Sequence, residues 1–135
     1  MITYKMDCDG VDWDAMRRIL IEDDFDNGRS PEQYRVSFEN TDVVCIAYDD
    51  DNIIGTVRAL SDGVCNAYII DVWTYTPYRR KGIASKMMEL VLEKLPGQHV
   101  YLFTDDRVDF YETLGFVKQP HGMSKVVGQW LQSGG

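Results

Sequence analysis

The sequence predicts an α/β (α+β) sandwich: a mixed, mostly antiparallel central sheet with helices on both faces, ordered βααβββαβαββ in one domain, residues 1–135. Three observations carry this. Apolar residues recur at helical spacing twice near the start. Strand-like runs separated by turn residues then follow one another between residues 42 and 75. The period finally switches back to helical at Ile83, ahead of a further strand. A helix crossing between two strands makes those strands parallel, so the sheet is mixed.

Each element follows in chain order. MITYKM, residues 1–6, reads as a short edge strand. DWDAMRRILIEDDF places Trp13, Met16, Ile19 and Leu20 on one helical face, with Phe25 near its end. A second helix starts in NGRSPEQYRVSF. Ser30 fits the N-cap, Pro31 the first helical position, and Gln33 completes a capping box. DVVCIAY and IIGTVRAL are strands joined by the turn DDDN, and SDG turns into a third strand from about Asn66 to Tyr75. Ile83, Met87, Leu90, Val91 and Leu95 mark a helix ended by Pro96 and Gly97. HVYLFT is short and almost wholly apolar, the pattern of a strand buried on both faces. DDRVDFYETLG is a short helix with Asp105 or Asp106 near its N-terminus and Gly115 as its C-terminal glycine. FVKQ and MSKVV read as closing strands.

The composition is that of an ordinary globular chain, 44% hydrophobic and 27% charged, with a formal net charge of -8. That balance argues against nucleic-acid binding, which requires a basic face. It suits a soluble protein and attracts cationic small molecules. Cys8, Cys45 and Cys65 make an odd count without a CxxC pair, which fits a reduced, cytoplasmic setting. Cys45 and Cys65 lie in apolar runs and are expected to be buried. His99 and His121 lie in polar loop sequence, so no thiol–imidazole pair is evident. The opening residues lack the apolar run of a signal peptide, and no stretch reaches membrane-spanning length, so no membrane partner is expected.

Against the acidic background, TPYRRKGIASKMM gathers Arg79, Arg80 and Lys81 in succession, and no acid appears from Val72 to Met88. These cations stand at a turn between a strand and a helix that begins near Gly82. A helix N-terminus presents unpaired N–H groups and the positive end of its dipole. With Gly82 admitting close approach and Ala84 adding little bulk, the turn suits a pyrophosphate. The alternative is a solvated basic turn. It is neither a P-loop nor a GxGxxG dinucleotide fingerprint.

RRKGIA, Arg79 to Ala84, matches the [Q/R]xxGx[G/A] motif of the GCN5-related N-acetyltransferases, the GNAT family. DFYETLGF, Asp109 to Phe116, resembles that family's second signature, FYxxxGF, in the same order and spacing. The element order resembles the GNAT fold nearly end to end.

The resemblance implies that acetyl-coenzyme A lies where two central parallel strands splay apart. The backbone of Val72, Trp73 and Thr74 would pair with its pantetheine arm, and an N–H there would face the thioester oxygen. Arg79, Arg80, Lys81, Gly82, Ile83, Ala84 and Ser85 would hold the pyrophosphate. Tyr111 falls at the family's general acid, which protonates the leaving thiolate. Read as a helix alone, Phe110 and Leu114 are the better core positions and Tyr111 is one of eight tyrosines.

Asp71 is the one acid in AYIIDVWTYTP. The resemblance implies a base that takes the amine proton, while burial alone permits a pairing with an arginine such as Arg58. Relatives commonly carry asparagine and alanine where this chain has Thr104 and Arg107. Thr104 would still donate a hydrogen bond to the coenzyme arm.

The implied activity is acetyl transfer to a primary amine on a small molecule or peptide, with acetyl-coenzyme A as cosubstrate and no metal. A homodimer is compatible with it. The competing reading is a non-catalytic acyl-coenzyme A-binding or sensing module. IEDDFDNGR and DDD offer acids to a cationic amine, or are solvated loops.

Overall fold

β2, Val43–Asp49, explains why the sheet carries helices on both faces. Val44 and Ile46 pack with Met16 and Leu20 of α1 (Trp13–Glu22) and with Tyr34 and Phe38 of α2 (Pro31–Glu39). Cys45 and Ala47, one residue out of phase, are fully buried as well. Successive strand side chains point to opposite faces, so these two face the layer where α3 (Ile83–Leu92) packs on β2, β3 (Asn52–Ser61) and β4 (Asn66–Thr74). Burial on both sides is why β2 and β3 read as apolar runs without polar alternation.

The computed structural model describes residues 1–131. The chain packs as two units, Met1–Phe103 and a smaller one from Thr104 onward. The larger holds a five-stranded sheet in the order β1–β2–β3–β4–β5, with β1 at Ile2–Lys5 and β5 at His99–Tyr101. The first three pairings are antiparallel and β4–β5 is parallel, as the crossover through α3 requires. No helix among the described residues is long and apolar enough to cross a membrane.

Local chemistry sets the helix boundaries. Asp12 caps α1 by accepting from Ala15 N at 3.0 Å. At α2, Ser30 Oγ accepts from Gln33 N at 3.1 Å and Gln33 Oε1 accepts from Ser30 N at 2.9 Å, so the expected capping box is complete. Against α3 the sheet offers Gly55. A Cβ there would lie 2.9 Å from Met87 Cε and 3.1 Å from the Trp73 carbonyl, so the missing side chain lets the helix settle onto β3.

Four expectations are corrected. β5 is an edge strand of three residues, not one buried on both faces: Tyr101 is 42% exposed and Phe103 beyond it 66%. FVKQ and MSKVV form no strand among the described residues. Pro120 lacks an N–H to donate and His121 sits at φ +69 between them. Val117, Met123 and Val127 are exposed and specify no register. Cys65 is exposed because it belongs to a turn, in which Asp62 Oδ1 accepts from the N–H groups of Val64, Cys65 and Asn66.

In the smaller unit, α4 (Val108–Thr113) ends at Gly115, φ +92, as its sequence predicts. The fourth correction lies here: its buried side chain is Tyr111, whereas Phe110 and Leu114 are half-buried.

Candidate functional site

β4 is nine residues long, but β5 pairs only with its beginning, through Asn66–His99, Ala67–Val100 and Tyr68–Tyr101. Among the described residues, the strand from Ile69 to Thr74 has β3 on one side and no strand on the other. Apart from Thr74 O, which accepts from Arg79 Nε, its backbone groups on that side are available to an added, strand-like partner. Val72, Trp73 and Thr74 lie on this stretch. The Trp73 side chain is only 2% exposed and its indole N–H donates to Asp23 Oδ2 at 2.9 Å. Whatever Trp73 offers a ligand there is therefore backbone.

The stretch is also distorted. The β3–β4 register shifts between Thr56 and Arg58, and Asp71 sits opposite the break at φ +54. That is a β-bulge with a non-glycine residue in the left-handed region, a conformation that persists only where its surroundings enforce it. The bulge takes the Asp71 carbonyl out of the ladder, and Thr56 Oγ1, 1% exposed as a residue, donates to it at 2.8 Å. The Asp71 carboxylate is held as well: Arg58 Nε donates to Oδ2 at 2.7 Å and Arg29 Nη2 donates to the same oxygen at 3.0 Å. The pairing with Arg58 that the sequence allowed is present. Arg29, in the loop before α2, and Thr56 were not anticipated, because nothing local in NGRSP or IIGTVRAL marks them as partners of Asp71.

Beyond Thr74 the chain makes a 3-10 turn, Thr76–Tyr78, and reaches α3 through Arg80 (φ +64) and Gly82 (φ +79). Gly82 is the N-cap and supplies no side-chain cap. Lys86 N already donates to Gly82 O at 3.0 Å, so the amides of Ile83, Ala84 and Ser85 are the ones a helix start leaves without an intrahelical acceptor. A Cβ built on Gly82 would meet nothing within 4 Å, which leaves space at that turn for a ligand. Of the three cations, Arg79 is tied back, donating from Nε to Thr74 O at 3.2 Å and lying 3.9 Å from Asp23. Lys81 Nζ stands 5.4 Å from the Tyr78 ring centroid. Arg79 thus holds the turn to β4, and Arg80 and Lys81 carry the exposed charge.

Thr104 and Tyr111 belong to the smaller unit. Thr104 Oγ1 accepts from Arg107 N at 3.0 Å, closing the turn before α4 and leaving its O–H to donate elsewhere. The Tyr111 ring packs edge-on to Phe110 at 5.0 Å and Phe116 at 5.9 Å. Burial pushes the Tyr111 phenol up from its ordinary range, with Arg107 opposing this and Asp106 adding to it. The phenol is therefore protonated at neutral pH, the state a proton donor needs. No group of three His, Cys, Asp or Glu among the described residues is placed to hold a metal ion.

Residues 13–116 match the family model for the acetyltransferase (GNAT) family. An uncharacterized N-acetyltransferase, ycf52, of Gracilaria tenuistipitata var. liui is 28% identical over 124 residues, covering 86% of this chain and 61% of that protein. The chain thus spans somewhat less than two thirds of that relative. Among solved structures, a GNAT-family acetyltransferase from Streptococcus pneumoniae superposes with a TM-score of 0.79 at 24% identity, covering 96% of this chain and all of the other. A predicted acetyltransferase from Clostridium acetobutylicum, solved with acetyl-CoA, superposes with a TM-score of 0.66 at 18% identity, covering 93% of this chain and 96% of that one. Both structural likenesses speak to the fold.

Proposed function

Because the chain belongs to the acetyltransferase (GNAT) family, we propose that it moves an acetyl group from acetyl-coenzyme A to a primary amine by direct attack. The observation that carries this is the stretch of β4, Ile69 to Thr74, which beyond its pairing with β3 has no strand on its other side among the described residues, leading into a helix start at Gly82 with open space at its Cβ. The free strand edge suits the amide-bearing pantetheine arm. The amides of Ile83, Ala84 and Ser85, with Arg80 and Lys81, suit the pyrophosphate. That a structure of the same fold was solved with acetyl-CoA supports the choice of donor.

In this reading the amine nitrogen attacks the thioester carbonyl carbon, the C–N bond forms and the C–S bond breaks. A backbone N–H of Val72 to Thr74 faces the developing oxyanion. The departing thiolate takes its proton from the Tyr111 phenol, and the amine gives its proton to Asp71. Both guanidiniums bind Oδ2 of Asp71, so Oδ1 is the oxygen assigned to that proton. The acceptor approaches from the side of the α1–α2 loop, whose acids draw a cationic amine.

Calorimetric titration with acetyl-coenzyme A tests the coenzyme half of this reading. Saturable binding at one site per chain is expected, and its absence would remove the basis for the transferase.

A further inference from the structure

We propose that Arg29, Asp71 and Arg58 form a subsite for an anionic group on the acceptor. The protein would then take an amine that carries a carboxylate or phosphate within a few bonds of its nitrogen, an α-amino acid being the smallest example. The inference rests on the reading that the amine is acetylated beside β4, and it deepens that reading by naming the class of acceptor.

The argument is one of charge balance. The two guanidinium side chains are 8% and 10% exposed, yet they share one carboxylate, and both bind the same oxygen of it. Among the described residues no second carboxylate bonds either arginine. Their remaining partners are neutral. Arg29 donates to Asn27 Oδ1 and Ser37 Oγ, each at 2.9 Å, and Arg58 donates to Thr41 Oγ1 at 3.0 Å and to the Ser37 carbonyl at 3.5 Å. The Arg29 guanidinium lies over the Tyr34 ring at 4.2 Å and that of Arg58 over Phe38 at 5.3 Å. These contacts fix both planes but neutralise neither charge. The cluster therefore holds one cation more than it balances, in a place where burying an uncompensated charge is costly.

Two further observations point outward to a ligand. Among the described residues, none of the bonds formed by Arg58 uses Nη2, so that nitrogen still has its N–H groups to give. Asp71, 21% exposed, stands on the part of β4 that β5 leaves without a partner. A ligand there meets a carboxylate and a guanidinium together. An ammonium directed to Asp71 and a carboxylate or phosphate directed to Arg58 is the complementary pair, and guanidinium suits both anions. A purely internal clamp is the contrary account.

The side-chain Nε–Hε resonances of Arg29 and Arg58 report on the cluster directly in a 15N-labelled chain, that of Arg58 being assigned by its loss in Arg58→Lys. Titrations with glycine, 2-aminoethyl phosphate and methylamine separate the cases. Glycine or 2-aminoethyl phosphate should move these resonances saturably, the stronger of the two identifying carboxylate or phosphate, and methylamine should not. Stationary resonances with both anionic probes, or an equal response to methylamine, would overturn the proposal. A kinetic arm separates its failure from that of the transferase reading. With acetyl-coenzyme A present, the anionic amine should exceed methylamine in kcat/KM by about 10-fold, the worth of one charged hydrogen bond. Moving resonances without thiol release would sink the transferase reading and keep the anion subsite. Thiol release from methylamine and glycine alike, with still resonances, would do the reverse.

Discussion

Tyr111 is the residue at which chemistry and packing are hardest to separate, since the ring is buried and its hydroxyl is the proposed acid. Tyr111→Phe keeps the ring against Phe110 and Phe116 and removes only the O–H. Turnover should fall by roughly 10²-fold, the lower range for a positioned general acid, while coenzyme affinity and melting temperature hardly move. A loss of both affinity and stability instead would assign Tyr111 to packing. Asp71→Asn keeps shape and removes the charge. Turnover should drop, and full activity in the variant would make Asp71 structural. Cys45 gives a stability test apart from the site. Burial pushes its thiol from 9.0 up to about 11. A folded-state value above the unfolded one means stability that is full below about pH 9 and lost as pH rises towards 11. Denaturation of wild type and Cys45→Val should show the stability difference shifting against wild type by on the order of 2 kcal/mol across that window. Buried tyrosines titrate later and are common to both proteins. A constant difference would show that the thiol titrates alike in the folded and unfolded chain, so that burial does not raise it. The pairing of Asp71 with Arg58 was legible in the sequence, as one of the two readings of an acid in an apolar strand. The bulge at Asp71 and the hold of Arg29 were not, because they arise from a register shift and from a loop 42 positions away.

The start of α3 is the element on which the proposed coenzyme binding turns. Gly82→Val puts a β-branched side chain at φ +79 and fills space that is now open. The backbone strain is about 1–3 kcal/mol, and coenzyme affinity should fall at least about 10-fold. Undiminished affinity by calorimetry would remove the pyrophosphate from this turn. Arg80→Ala should weaken binding less, since one exposed charge is a small part of such a contact. Elements with local instructions were read correctly. The Ser30–Gln33 capping box and Gly115 each act through groups a few residues apart, whereas α3 ends at Leu92, short of the expected stop at Pro96-Gly97. FVKQ and MSKVV have strand-like composition, but a strand needs a partner and a buried face, and neither is stated locally. HVYLFT was misjudged for a related reason. Its apolar character does not reveal whether another strand covers it, and Tyr101 and Phe103 remain exposed.

Across the whole chain, the two signatures and the element order carried the family, because each motif reports a backbone conformation and not a single side chain. The family model covers residues 13–116, which includes both. What composition left open is the acceptor. A net charge of -8 favours cationic molecules in general, whereas the Arg29–Asp71–Arg58 cluster selects by shape and local charge that only the fold assembles. Amine-dependent release of free thiol from acetyl-coenzyme A tests the central claim most directly, with the acetylated product identified by mass spectrometry. A panel of amines, amino acids and amino-terminal peptides should yield at least one acceptor that releases thiol in step with acetylated product, and Tyr111→Phe should slow that acceptor's turnover. Saturable coenzyme binding with no amine-dependent thiol release across the panel would contradict the transferase and favour a module that binds or senses the acyl-coenzyme.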